Sequence, residues 1–151
     1  MYKRILVPID GSDTARYGLN EATTLAQGQQ ATLRLLHVVG DFPFEIEVAS
    51  TRDFEQYREG IRRYGLDLLE KAKTAATALG LRVETQLHEL QGGRVSSAIV
   101  QDAKASGCDL IVIGTHGRRG LTRALLGSDA ESVLRESPVP VLLVRASHAK
   151  D

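Results

Sequence analysis

The chain has 151 residues, 42% of them hydrophobic and 25% charged, which fits one ordinary globular domain with a real core. Its 19 basic and 19 acidic side chains cancel, which argues against coating nucleic acid or a membrane surface, since both need net positive charge. No Trp, three Phe and four Tyr leave little material for stacking unpaired bases.

Ile5–Ile9 reads as a buried strand closed by Asp10-Gly11-Ser12. A helix is expected from about Asp13 to Gln27, with Ser12 as N-cap and Gly28 as its stop. Its apolar positions Ala15, Leu19, Ala22 and Ala26, with Leu25 beside them, recur at spacings of three and four. Ala31–Val39 reads as a second strand. Gly40–Arg52 is a connector longer than the usual loop, suited to a lid or a contact segment. From Asp53 to Leu79 a helical stripe runs through Phe54, Tyr57, Ile61, Tyr64, Leu68, Ala72, Ala75 and Leu79. Leu81–Leu90 alternates apolar with polar, which predicts a sheet-edge strand with one wet face. Gly92-Gly93 turns into a helix over Arg94–Ala105, with Val95, Ala98, Ile99 and Ala103 inward. Asp109–Gly114 is continuously apolar and therefore central. A last helix is expected over Ser128–Glu136, broken by Ser137-Pro138. Val139–Arg145 is the fifth strand, with Pro140 best tolerated at an edge, and Ala146–Asp151 is a polar tail.

Strands alternating with helices predict a doubly wound parallel sheet. If the first and fourth strands lie side by side where the winding reverses, Asp10 and Gly114 end together at one crevice. The single cysteine, Cys108, excludes an internal disulfide and reads as a small buried hydrophobe. The early apolar run Ile5-Leu6-Val7 is too short for a secretion signal or a membrane span, so the expected compartment is the cytoplasm.

The pattern with most chemistry is Gly114-x2-Gly117-x9-Gly127-Ser128, set between an apolar strand and a helix start. Glycines let backbone approach a ligand, and a helix N-terminus offers unpaired N–H groups to an anion. No Gly-Lys-Ser/Thr follows, so this is not a Walker A loop; nor is it the dinucleotide fingerprint, which belongs after the first strand. Ser128 and Glu131 have the spacing of a capping box, which would commit the Ser128 hydroxyl to the helix and leave phosphate to backbone N–H groups. Asp10 suits either a ligand role or the turn before the first helix. Arg118, Arg119 and Arg123 suit either a phosphate rim or a solvated one. His116 has no Ser or Cys nucleophile to pair with, and His37 reads as a structural residue at a strand end.

With these residues the chain resembles the universal stress protein family, in its ATP-binding branch. The resemblance runs from about Met1 to Ala146. It is carried by Lys3–Ser12, Leu35-Leu36-His37-Val38-Val39, Asp109–Gly117, Gly127-Ser128 and Ser137–Val144. It implies one Rossmann-like, adenine nucleotide α hydrolase-like α/β domain with strand order 3-2-1-4-5, dimerising through the last strand. It also implies a nucleotide site. Pro8 and Ile9 would line the nucleoside pocket, Asp10 would take a hydroxyl or base group, and the Val38 backbone would read the adenine edge. Gly114, Thr115, His116 and Gly117 would contact ribose and phosphates, and Gly127, Ser128 and Asp129 the terminal phosphates. Mg²⁺ would arrive through phosphate oxygens. Asp129 stands where relatives often carry a neutral or hydroxyl residue, and Ala130 offers no hydroxyl to a phosphate, which together leave room for ADP or AMP.

The function implied is that of a dimeric, ATP-responsive regulator in the stress response. The alternatives are a slow ATPase or phosphotransferase, for which no water-orienting residue stands out, and a nucleotide-free interaction module. A flavin-binding relative of the fold is a further outsider. Independently of the resemblance, an apolar edge strand at Val141–Val144 invites a second copy of the chain.

Overall fold

The computed structural model describes residues 1–40, 50–115 and 126–145. Most of the expected connector (41–49), the glycine loop (116–125) and the tail (146–151) lie outside them. The elements are β1 (Arg4–Pro8), α1 (Asp13–Gln29), β2 (Thr32–Val39), α2 (Thr51–Ala78), β3 (Arg82–Glu89), α3 (Val95–Ala105), β4 (Leu110–Gly114), α4 (Ser128–Glu136) and β5 (Val141–Val144).

The strands form one parallel sheet in the order β3-β2-β1-β4-β5. Side chains alternate across it. Ile5 and Val7 of β1 join Leu33, Leu35, Leu110 and Val112 on the face covered by α1 and α2. Leu6 points the other way, with Leu36, Ile111 and Ile113, into the core shared with α3 and α4. Full burial of a Leu or Ile such as Leu6 or Ile111 contributes about 1.5–3 kcal/mol. The chain winds β1→β2→β3 with its helices on one face, then returns to β4→β5 with helices on the other. The winding reverses between β1 and β4, which pair through Ile5–Leu110 and Leu6–Ile111.

Three local expectations are corrected. Gly28 does not stop α1; the helix runs to Gln29 and closes at Gln30, in the left-handed region at φ 55°, with its N–H donated to the Ala26 carbonyl. The inward stripe of α2 is shifted, although Leu68 and Ala72 of the expected stripe still pack partly buried against the core. Gly65, Leu69 and Ala76 are the buried positions, whereas Tyr57, Tyr64 and Leu79 are about half exposed. Gly65 meets β2 because there is no room for a side chain: an added Cβ would stand 2.5 Å from His37 Cδ2. Periodicity in apolar residues passes over a glycine, so it centred the stripe to one side of the most buried line. The third correction, at the start of α4, belongs to the site.

On the α3 side of β2, a polar contact replaces apolar packing. Arg34 donates from Nε and Nη2 to the two carboxylate oxygens of Asp102 on α3, each at 2.7 Å. Glu84 on β3 joins it and also accepts from Arg4. The bond to Asp102 raises the Arg34 pKa above its ordinary value, so this charge is permanent in any usable buffer.

Candidate functional site

Parallel strands deliver their carboxyl ends to one rim of the sheet, and the β1/β4 reversal opens a crevice there. The structure has a cavity of about 310 Å³ at this point, in the range of small-ligand sites. Pro8, Ile9 and Asp10 line it from the end of β1, Val38 from β2, and Gly114 from β4. Gly127, Ser128 and Asp129 line it from the start of α4. Thr115 is not among the lining residues. It is buried, donates its N–H to the Val144 carbonyl at 3.0 Å, and accepts the Gly127 N–H at 2.5 Å. It therefore ties β4 to β5 and to the returning chain. His116, Gly117, Arg118, Arg119 and Arg123 lie outside the described residues.

The β1 end is held firmly. Ile9 donates its N–H to the Leu36 carbonyl at 2.8 Å. His37 is buried and donates from Nδ1 to the Ile9 carbonyl at 2.7 Å, with its ring in a T-shaped pair with Tyr64. That is the structural task expected of it. Asp10 accepts the Ser12 N–H at 2.9 Å, closing a turn at Gly11, whose φ of 83° favours glycine. Ser12 in turn caps α1 by accepting the Ala15 N–H at 3.2 Å. Asp10 thus does the local turn work and still faces the cavity.

The capping box at α4 does not form. The N-cap is Gly127, one residue earlier, so Ser128 is the first helical residue and no side chain caps this end. The Glu131 N–H goes to the Gly127 carbonyl at 2.9 Å, and the Glu131 carboxylate pairs with Arg135 at 2.8 Å. The Ser128 hydroxyl is therefore not committed to Glu131. Helix geometry leaves the N–H groups of Ser128, Asp129 and Ala130 without intrahelical acceptors at the cavity wall. Burial, and then the charge of Asp10, push the Asp129 carboxyl above its ordinary value.

Apart from Ser12, the rest of the wall is apolar, and except for Ala130 it was not read from the sequence as site. Leu36, Ile113, Ala130, and Val95 with Ile99 of α3 contribute to it. Their helical and strand spacing signals core, and a site wall leaves no separate mark. Cys108 lies elsewhere, buried, with Sγ 3.2 Å from Ser106 Oγ, and burial pushes its thiol up. Among the described residues no three or more His, Cys, Asp or Glu side chains converge as a metal site.

Fold and crevice together define an α/β protein with a candidate site at the topological switch point of a parallel sheet. The model of the universal stress protein family matches residues 1–145. Universal stress protein MJ0531 of Methanocaldococcus jannaschii is 34% identical over 145 residues, covering 96% of this chain and 83% of that protein. The solved structure of hypothetical protein MJ0577 superposes with a TM-score of 0.82 at 30% identity, over 99% of each chain. A universal stress protein solved in complex with cAMP superposes with a TM-score of 0.70 at 25% identity, over 97% of this chain and 99% of that one. The chain belongs to the universal stress protein family.

Proposed function

We propose that this protein binds an adenine nucleotide in the crevice and acts as a dimeric regulator in the stress response, through ligand-dependent shape or partner choice. ATP with Mg²⁺ is the ligand implied by the resemblance to the family's ATP-binding branch, and ADP or AMP fits the same frame. The observation that carries the reading is one cavity joining a nucleoside-type half to a phosphate-type half. Leu36, Val95 and Ile99 supply an apolar wall for a base, with the Val38 backbone beside it. The Asp10 carboxylate suits a ribose hydroxyl. Ser128, Asp129 and Ala130 offer backbone N–H groups to phosphate. Gly114, Gly117 and Gly127 let the intervening loop approach it, with His116 and the arginines 118, 119 and 123 as its polar members. Thr115 holds that loop's two ends together. Mg²⁺ would neutralise phosphate charge, bound through phosphate oxygens. The cAMP held by the relative at 25% identity supports an adenine nucleotide as the ligand class.

Dimerisation through Val141–Val144 is supported by the position of β5 at a sheet edge. Residues 1–151 act as one unit in this reading. Placement in the cytoplasm rests on the single buried thiol. Among the described residues no helix is long and apolar enough to cross a membrane.

Calorimetry with ATP and Mg²⁺ tests the binding. Wild type is expected to bind saturably, and Gly127→Val, which crowds the start of α4, to bind at least about tenfold more weakly. No heat with wild type overturns the reading. Native mass spectrometry reports both co-purifying nucleotide and the expected dimer.

A further inference from the structure

The turn that carries Asp10 is soft at its centre. Gly11 sits at φ 83°, and glycine has the widest backbone freedom of any residue. The Ser12 N–H fixes the Asp10 carboxylate within the turn, but so local a bond does not fix the turn against the sheet. Support of that kind comes from α2. A Cβ added at Gly11 would run into the Tyr64 hydroxyl oxygen, with Tyr64 Cζ at 3.5 Å and Leu68 Cδ1 at 3.9 Å. The three atoms nearest that position all belong to one helix, which covers the outer side of the turn. Gly65 explains the reach. It lets α2 settle on His37, where a side chain would not fit, and Tyr64 extends from the neighbouring position. The Tyr64 ring pairs with His37 at 6.3 Å between centroids and 70° between planes. His37 in turn holds the Ile9 carbonyl at 2.7 Å. One side chain therefore meets the clamp before Asp10 and the glycine after it. Ile9, Asp10 and Ser12 line the cavity, and Tyr64 does not.

We infer that Tyr64 is a positioning residue of the nucleotide site, a role that rests on the adenine-nucleotide reading and deepens it. It touches no ligand. It braces Gly11 and the His37 ring, and so holds the Asp10 carboxylate where a ribose hydroxyl reaches it. What depends on Tyr64 is the preference for ligands that carry ribose hydroxyls over those that lack them. Contacts to the base and to phosphate come from other elements and do not pass through this turn.

The test is calorimetry of AMP and of dideoxy-AMP, which lacks both ribose hydroxyls, on wild type, Tyr64→Leu, Tyr64→Phe and Asp10→Ala. Wild type is expected to prefer AMP by about tenfold. Tyr64 is about half exposed, so Tyr64→Leu should fold. Its preference should shrink to within about twofold through weaker AMP binding, with dideoxy-AMP held at wild-type strength. Tyr64→Phe keeps the ring against His37 and lacks only the hydroxyl over Gly11, so its preference should fall between the two. Asp10→Ala should lose the preference outright, and adding Tyr64→Leu to it should cost AMP no more than about twofold further, since Tyr64 acts through Asp10. Full preference in Tyr64→Leu overturns the inference. Equal weakening of both ligands does so too, because it marks a structural effect, and so does equal binding of the two by wild type. Each of these outcomes leaves nucleotide binding standing. Absence of binding for both ligands in wild type overturns the adenine-nucleotide reading itself.

Discussion

Gly114→Ala separates a packing requirement from a ligand requirement at the end of β4. An added Cβ would stand 2.4 Å from the Thr14 carbonyl oxygen, 2.6 Å from its carbon and 3.1 Å from the Ala15 nitrogen. All three are backbone atoms in the first turn of α1, so none can rotate away. Restoring ordinary contact requires α1 to retreat by roughly 1 Å. The helix lies on the sheet through Ala15, Gly18, Ala22 and Ala26, a stripe with no long side chain to refill the gap. Gly18 itself approaches Gly114 closely: its own added Cβ would be 3.2 Å from the Gly114 nitrogen. The expected loss is toward the upper end of the ~1–3 kcal/mol typical of overpacking. At roughly 2–4 °C per kcal/mol for a chain of this size, Tm should fall by about 4–10 °C.

Urea unfolding and a thermal melt of the ligand-free protein measure this. Gly60→Ala is the control, since nothing lies within 4 Å of its added Cβ in an exposed stretch of α2. That change should raise stability by about 0.5–1 kcal/mol through helix propensity. If Gly114→Ala unfolds within about 0.5 kcal/mol of wild type while the control behaves as stated, the close-packing argument is wrong.

Asp102→Ala removes both 2.7 Å bonds from the largely buried Arg34 guanidinium, leaves Glu84 as its carboxylate partner, and should cost about 1.5–3 kcal/mol by urea unfolding. Arg34→Met with Asp102→Leu should recover much of that loss; no recovery would contradict the desolvation argument. Gly65→Ala would push a Cβ to 2.5 Å from His37 Cδ2 and 2.8 Å from Leu87 Cδ1, for a loss of about 1–3 kcal/mol. Because His37 holds the Ile9 carbonyl, nucleotide affinity should fall with it, and binding at wild-type strength would show that the β1 end is not positioned this way. Burial raises the Cys108 thiol pKa, so at a given pH less thiolate is present than for a free cysteine. Labelling by a disulfide reagent at pH 8 should be slow in the native protein and fast in urea, and fast native labelling would refute the burial.

The sheet was legible because its code is short-range. Ile5, Leu6 and Val7, or Ile111, Val112 and Ile113, announce strands buried on both faces. The alternation in Arg82–Glu89 announces an edge, and right-handed crossovers then leave few ways to order five strands. Features that depend on one partner far along the chain were not legible. Arg34 and Asp102 are 68 residues apart and neither has a local signature. Gly65 faces the sheet because His37 occupies the space, a fact about β2 and not about the α2 periodicity. At α4 the Ser128 and Glu131 spacing was sound, but the helix starts one residue earlier, with the Gly127 carbonyl already accepting from Glu131.

The wall of the site shows a deeper reason for that limit. Leu36, Ile99, Ile113 and Ala130 belong both to the core between the sheet and α3/α4 and to the cavity lining. The cavity is where that core stops filling itself, at the rim where β1 and β4 end and α4 begins. No hydrophobic pattern can mark where packing ends and ligand begins, because the same residues do both. Polar atoms mark the boundary instead: the Asp10 carboxylate, held by Ser12, and the uncapped N–H groups of α4. A ligand with an apolar plane and an anionic end would continue the core on one side and satisfy those atoms on the other. Its binding should therefore register as added stability, growing as the logarithm of ligand concentration above Kd. Core truncation at Ile99 should then weaken folding and binding together.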